Sequence, residues 1–146
     1  MELLVNNKKY KIDTSPDEKL LDTLRKLGFN SVRRGCNTAS CCVCTVIVDK
    51  KPVLSCSYLT NRAAGKEIFT VEGFGDKAKK IASLLAEEGA DQCGYCGPAL
   101  INTIIGLEFE NDKPTIDEIN DFLKANLCRC TGYQGQLRAI EKYFNI

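Results

Sequence analysis

Eight of the nine cysteines in this chain fall into two sets of four, and no other feature constrains it as tightly. Cys36, Cys41 and Cys44 follow a C-x4-C-x2-C pattern completed by Cys56. Cys93 and Cys96 form a C-x2-C pair, answered downstream by the C-x-C pair Cys128 and Cys130. The first spacing is the one that holds a plant-type [2Fe–2S] cluster. With no His, no Trp and a single Met, thiolate sulfur is almost the only soft ligand the chain offers a metal. The pattern predicts two iron–sulfur clusters, each held by one quartet.

Other uses of the same sulfurs fit less well. Two structural zinc sites could take four cysteines each, but C-x4-C-x2-C and C-x-C are unusual zinc spacings. Neither C-x2-C pair lies in the βαβ setting of a thioredoxin-like redox motif. The first residues lack the basic, apolar and small-residue order of a secretory signal, so a reducing compartment, the cytoplasm, is expected rather than disulfides. Cys42 fits neither quartet and is expected to act as a small hydrophobe. A net charge of +1 gives no nucleic-acid footprint, and no apolar run approaches a membrane span.

The 146 residues divide into two halves of different periodicity. Residues 1–75 read as strands at Leu3 to Val5 and through Tyr10 and Ile12, then a helix. Ser15 as N-cap, Pro16 and Glu18 would start that helix, with Leu20, Leu21, Leu24 and Leu27 on one face and Gly28 as its stop. Thr45 to Val48 and Val53 to Ser57 read as a hairpin carrying Cys56 on its second strand, and Ile68 to Val71 as a last strand. Residues 76–146 read as four helices. The first has a face of Ile81, Leu84 and Leu85, and the second starts at Pro98 with Leu100, Ile101, Ile104 and Ile105 on one side. The third is capped by Thr115 and Glu118, and the fourth buries Leu137, Ile140 and Phe144. The expected fold is α+β: a β-grasp ferredoxin-like domain (1–75) followed by a four-helix bundle domain (76–146). Two residues of separation cannot place Cys128 and Cys130 on one helical face, so they belong after a helix end. Cys93 and Cys96 belong on the turn entering a helix N-terminus, whose partial positive charge favours thiolates.

Three segments together resemble one family. Gly35-Cys36-x4-Cys41-x2-Cys44-Thr45-Val46, Gln92-Cys93-Gly94-Tyr95-Cys96-Gly97-Pro98 and Cys128-Arg129-Cys130-Thr131-Gly132-Tyr133 are similar to the small iron–sulfur subunit of the molybdenum hydroxylases, the xanthine dehydrogenase and aldehyde oxidoreductase family. The resemblance implies Cys36, Cys41, Cys44, Cys56, Cys93, Cys96, Cys128 and Cys130 as iron ligands. It implies Gln92 and Cys130 as the residues facing a pterin cofactor across a subunit interface. A large subunit would carry molybdopterin and a medium one FAD. Electrons would pass from molybdenum through the helical-half cluster, then the ferredoxin-half cluster, to FAD or another acceptor. The chain itself would perform no substrate chemistry. A free-standing, diffusible ferredoxin-like carrier is the alternative, and a zinc-stabilised binding module a third. The family usually has Gly where this chain has Ala39 and Cys42, which places added bulk beside the first cluster; it also has Gly at Ala99 and commonly Thr at Gly97.

Overall fold

A computed structural model describes residues 1–146. Strands β1 (Glu2–Val5) and β2 (Lys8–Lys11) form an antiparallel hairpin. Its turn residues, Asn6 and Asn7, have φ of 50° and 64°, the left-handed pair that matches the twist of the flanking strands. Strands β3 (Thr45–Val48) and β4 (Lys51–Leu54) make a second hairpin over Asp49 and Lys50, and β5 (Glu67–Phe69) joins the two. The sheet order is β2-β1-β5-β3-β4, with β1 and β5 parallel and all other neighbours antiparallel. Helix α1 (Leu20–Lys26) covers one face, burying Leu20, Leu21 and Leu24 with Leu3, Val5, Val46, Val48 and Ile68.

Three boundaries differ from the sequence reading. Helix α1 begins at Leu20 rather than at Pro16 behind a Ser15 cap, because long-range bonds claim the intervening backbone. Lys19 bridges to Leu59, the Leu20 amide donates to the Tyr58 carbonyl, and Thr60 donates to Glu18. Glu18 accepts from the Thr23 hydroxyl and Lys26 instead of closing a capping box. Strand β4 takes in Lys51 and Pro52 and stops at Leu54, so Cys56 lies in the turn after the strand. Pro52 is tolerated because β4 is an edge strand. Strand β5 ends at Phe69, and Val71–Phe74 form a 3-10 turn leading to Gly75.

The remainder is helical: α2 (Asp76–Glu87), α3 (Gly97–Glu110), α4 (Ile116–Leu123) and α5 (Gln134–Phe144). Thr115 and Glu118 close the expected capping box on α4. A second core gathers Ile81, Leu85, Leu100, Ile104, Ile105, Ile119 and Ile140. Helix α3 is buried from Ala99 through Leu107, not along one face only, because the β3–β4 hairpin packs on the side away from the other helices. Gly106 allows that approach: a Cβ there would lie 2.9 Å from the Pro52 ring. Beside it the buried Asn102 side chain donates to the Thr45 carbonyl at 2.9 Å, one residue past Cys44. No helix is long and apolar enough to cross a membrane.

Candidate metal centres

The loop from Gly35 to Cys44 wraps back on itself. A Cβ at Gly35 would lie 3.0 Å from the Cys41 sulfur and 2.7 Å from Val43, so glycine alone permits the closure. Ala39 and Cys42 occupy left-handed backbone, with φ of 56° and 57°, where a Cβ costs roughly 1–2 kcal/mol per residue. These are two of the positions at which the family resemblance leads one to expect Gly. The reversals aim amides inward. The backbone N–H groups of Thr38, Cys41 and Ser40 converge on the Cys36 sulfur and pull its pKa down to about 5. Burial pushes the Cys56 thiol up to about 12, and its hydrogen bond to Cys44 adds to that. The four thiols thus meet in pairs, Cys36 with Cys41 and Cys44 with Cys56. Cys42 is 8% exposed and shares no thiol hydrogen bond with them; burial raises its pKa. Cys44 is held by the Ser55 hydroxyl, which donates to its carbonyl at 2.7 Å.

In the helical half, Cys96 is the N-cap residue of α3, with Pro98 in its first turn, as the spacing predicts. Cys128 and Cys130 follow the end of α4. Gly132 and Tyr133, with φ of 64° and 69°, then turn the chain into α5. The Tyr133 hydroxyl accepts from the Cys128 amide at 3.0 Å, which closes this loop on itself. The thiols again pair, Cys96 with Cys128 and Cys93 with Cys130. Burial raises Cys96 to about 11. Burial also acts to raise Cys128, but the Thr131 hydroxyl and the Cys130 and Thr131 amides outweigh it, and the net shift is downward. The Cys93 hydrogen bond raises Cys130.

No group of three or more His, Cys, Asp or Glu side chains is drawn together tightly enough for one metal ion. Two thiol pairs, inward amides and an all-sulfur donor set fit a two-iron cluster, which takes two thiolates on each iron. Beside the second quartet lies a cavity of about 360 Å³ lined by Gln92, Cys93, Cys96, Cys128 and Cys130. Gln92, Cys93 and Cys130 are exposed. The two loops touch where the Leu127 amide donates to the Cys41 carbonyl at 3.2 Å.

Gln136 was not evident as a site residue from the sequence. It is 5% exposed and its amide nitrogen lies 4.0 Å from the Cys96 sulfur. The readable signal was a polar residue in the buried stripe of α5, three and four residues before Ala139 and Ile140.

Residues 3–68 match the family described as a 2Fe-2S iron-sulfur cluster binding domain, and residues 70–141 the one described as a [2Fe-2S] binding domain. The chain is 43% identical over 138 residues to the xanthine dehydrogenase iron-sulfur-binding subunit of Escherichia coli O157:H7, covering 92% of this chain and 87% of that one. It is 40% identical over 136 residues to the nicotinate dehydrogenase small FeS subunit of Eubacterium barkeri, covering 91% and 87%. Among solved structures it superposes on the aldehyde oxidoreductase of Desulfovibrio desulfuricans with a TM-score of 0.91 and 33% identity, over 98% of this chain and 16% of that one. Quinoline 2-oxidoreductase from Pseudomonas putida 86 gives 0.88 and 34%, over 96% and 88%.

Proposed function

This chain belongs to the family of small [2Fe–2S] subunits of the molybdenum hydroxylases, and from that premise we propose that it relays single electrons inside such an oxidoreductase complex. The observation that carries the reading is that the two cysteine sets meet, the Leu127 amide beside Cys128 donating to the Cys41 carbonyl. A [2Fe–2S] cluster held by four thiolates takes up and gives back one electron. Cys36, Cys41, Cys44 and Cys56 hold one cluster, and Cys93, Cys96, Cys128 and Cys130 the other. Cys36 with Cys41 and Cys44 with Cys56, and in the other set Cys96 with Cys128 and Cys93 with Cys130, would supply the thiolates that hold the irons. Inward amides at Cys36, the Thr131 hydroxyl at Cys128 and the Gln136 amide at Cys96 favour the more negative reduced state.

The partner that feeds electrons in is a molybdopterin-binding subunit, and a medium FAD-binding subunit takes them up. Gln92 and Cys130 are the residues that face the pterin. Their exposure at the rim of the cavity beside the second quartet supports a partner surface there. The helical-half cluster is then first in line and the ferredoxin-half cluster second. The chain does its work in the cytoplasm. The boundary between its two domains lies between residues 75 and 76, at Gly75, which supports the division with a φ of 52° just before α2. Iron and acid-labile sulfide, each measured at about four per chain, test the reading. Stoichiometric zinc in a colourless protein isolated anaerobically contradicts it.

A further inference from the structure

Arg33 reaches out of the ferredoxin half into the turn between Cys93 and Cys96. Its guanidinium donates to the Gly94 carbonyl at 2.6 Å and the Tyr95 carbonyl at 2.9 Å. The same group lies over the Tyr95 ring, 5.1 Å from its centre. Tyr95 returns the contact: its hydroxyl donates to the Arg34 carbonyl at 2.8 Å. Arg33 precedes Cys36 by three residues, and Tyr95 directly precedes Cys96. The two cluster loops are therefore tied to each other by a reciprocal clasp of three hydrogen bonds and a cation–π contact.

We propose that Arg33 and Tyr95 are positioning residues for electron passage between the two clusters, a role that rests on the relay function above. The clasp undergoes no chemical change. One electron leaves the centre held by Cys93, Cys96, Cys128 and Cys130, and the same electron enters the centre held by Cys36, Cys41, Cys44 and Cys56. Arg33 contributes in two separable ways. Its Nη1 donates to two successive carbonyls while the flat guanidinium covers the Tyr95 ring, a stacked placement that a compact ammonium on a flexible stem does not reproduce, and so it fixes the gap between the two segments. Its permanent positive charge, half-buried against the Cys93–Cys96 turn, stabilises the added electron on that side. Tyr95 contributes only to the geometry, through its hydroxyl tie to Arg34. The Leu127–Cys41 bond ties only the segment carrying Cys128 and Cys130 to the first quartet; the clasp ties the Cys93–Cys96 turn to it as well.

The test compares Arg33→Met, Arg33→Lys and Tyr95→Phe in the assembled, iron-loaded complex. Midpoint potentials of both clusters come from EPR-monitored redox titration, and the rate of electron arrival at the ferredoxin-half cluster from rapid-mixing spectroscopy. Arg33→Met is expected to lower the helical-half potential by about 59 mV, the one-electron equivalent of a tenfold change, and to slow passage about tenfold. Arg33→Lys should restore the potential but not the rate, and Tyr95→Phe should slow passage while leaving both potentials in place. Wild-type potentials and rates in all three fully loaded variants overturn the proposal. So does loss of iron from Tyr95→Phe, which would make the clasp a folding element instead. A wild-type chain without iron–sulfur clusters would sink the relay function itself, whatever the variants do.

Discussion

The backbone amide of Leu127 donates to the carbonyl of Cys41 at 3.2 Å, joining the neighbour of one quartet's Cys128 to a thiol-bearing residue of the other. The sequence separates these two residues widely, yet the fold joins them directly. The clasp of Arg33 and Tyr95 flanks it, and Asn102 and Gly106 seat α3 on the β3–β4 hairpin behind it. A rigid junction of this kind is what a fixed distance between two electron carriers requires.

Cys41 and Cys42 are neighbours with opposite expected roles. The Cys41 thiol meets Cys36, whereas Cys42 is buried without a thiol partner. Cys41→Ala should lose about two of about four irons, and Cys42→Ala should lose none, by iron analysis and visible absorption. Loss of a cluster signal in Cys42→Ala alone would mean that the ligand register in this loop is shifted.

Gln136 should tune the helical-half cluster. Replacing it with Leu keeps the side-chain volume near the Cys96 sulfur but removes the N–H donor. The midpoint potential of that cluster should fall, by less than about 59 mV because 4.0 Å is a long contact. The ferredoxin-half potential should stay where it was, which a redox titration resolves.

The Gly106→Ala substitution tests the seat between the halves. The added methyl would meet Cδ and Cγ of Pro52 at 2.9 Å, and a ring cannot swing aside as a flexible chain end can. A loss of about 1–3 kcal/mol in denaturant unfolding is expected, as for other overpacked contacts. Unchanged stability would mean that α3 and the hairpin are not closely packed.

Stability should also fall in acid through Glu88, which closes the α2–α5 contact. Ion pairs with Lys142 and Arg138 hold its carboxyl below the usual range. A depressed pKa in the folded state means the contribution is present above the unfolded value and is lost as pH falls through the folded one. The Glu88→Gln variant should therefore melt lower than the parent at neutral pH, and the difference should shrink in acid. A difference that grows with acidity would contradict the assignment.

The two sets of cysteines were legible because thiol spacing is a local property of the sequence, readable before any fold is known. The left-handed backbone at Ala39 and Cys42 was foreshadowed by the glycines of the family pattern. The start of α1 is not legible locally: Ser15, Pro16 and Glu18 satisfy a capping rule that long-range pairing of Lys19 and Leu20 overrides. The apolar pattern puts Cys56 on a strand, but β4 runs from Lys51 to Leu54 because its edge position accepts Pro52. The Arg33–Tyr95 clasp had no local signal at all, since its partners lie in different halves.

The order of the two clusters is tested most directly by magnetic coupling in the assembled complex. Gln92 and the helical-half quartet's own Cys130 stand exposed at the cavity where the pterin subunit is proposed to dock. Paramagnetic molybdenum should therefore couple most strongly to the cluster held by Cys93, Cys96, Cys128 and Cys130. Stronger coupling to the cluster held by Cys36, Cys41, Cys44 and Cys56 would reverse the path and contradict the account.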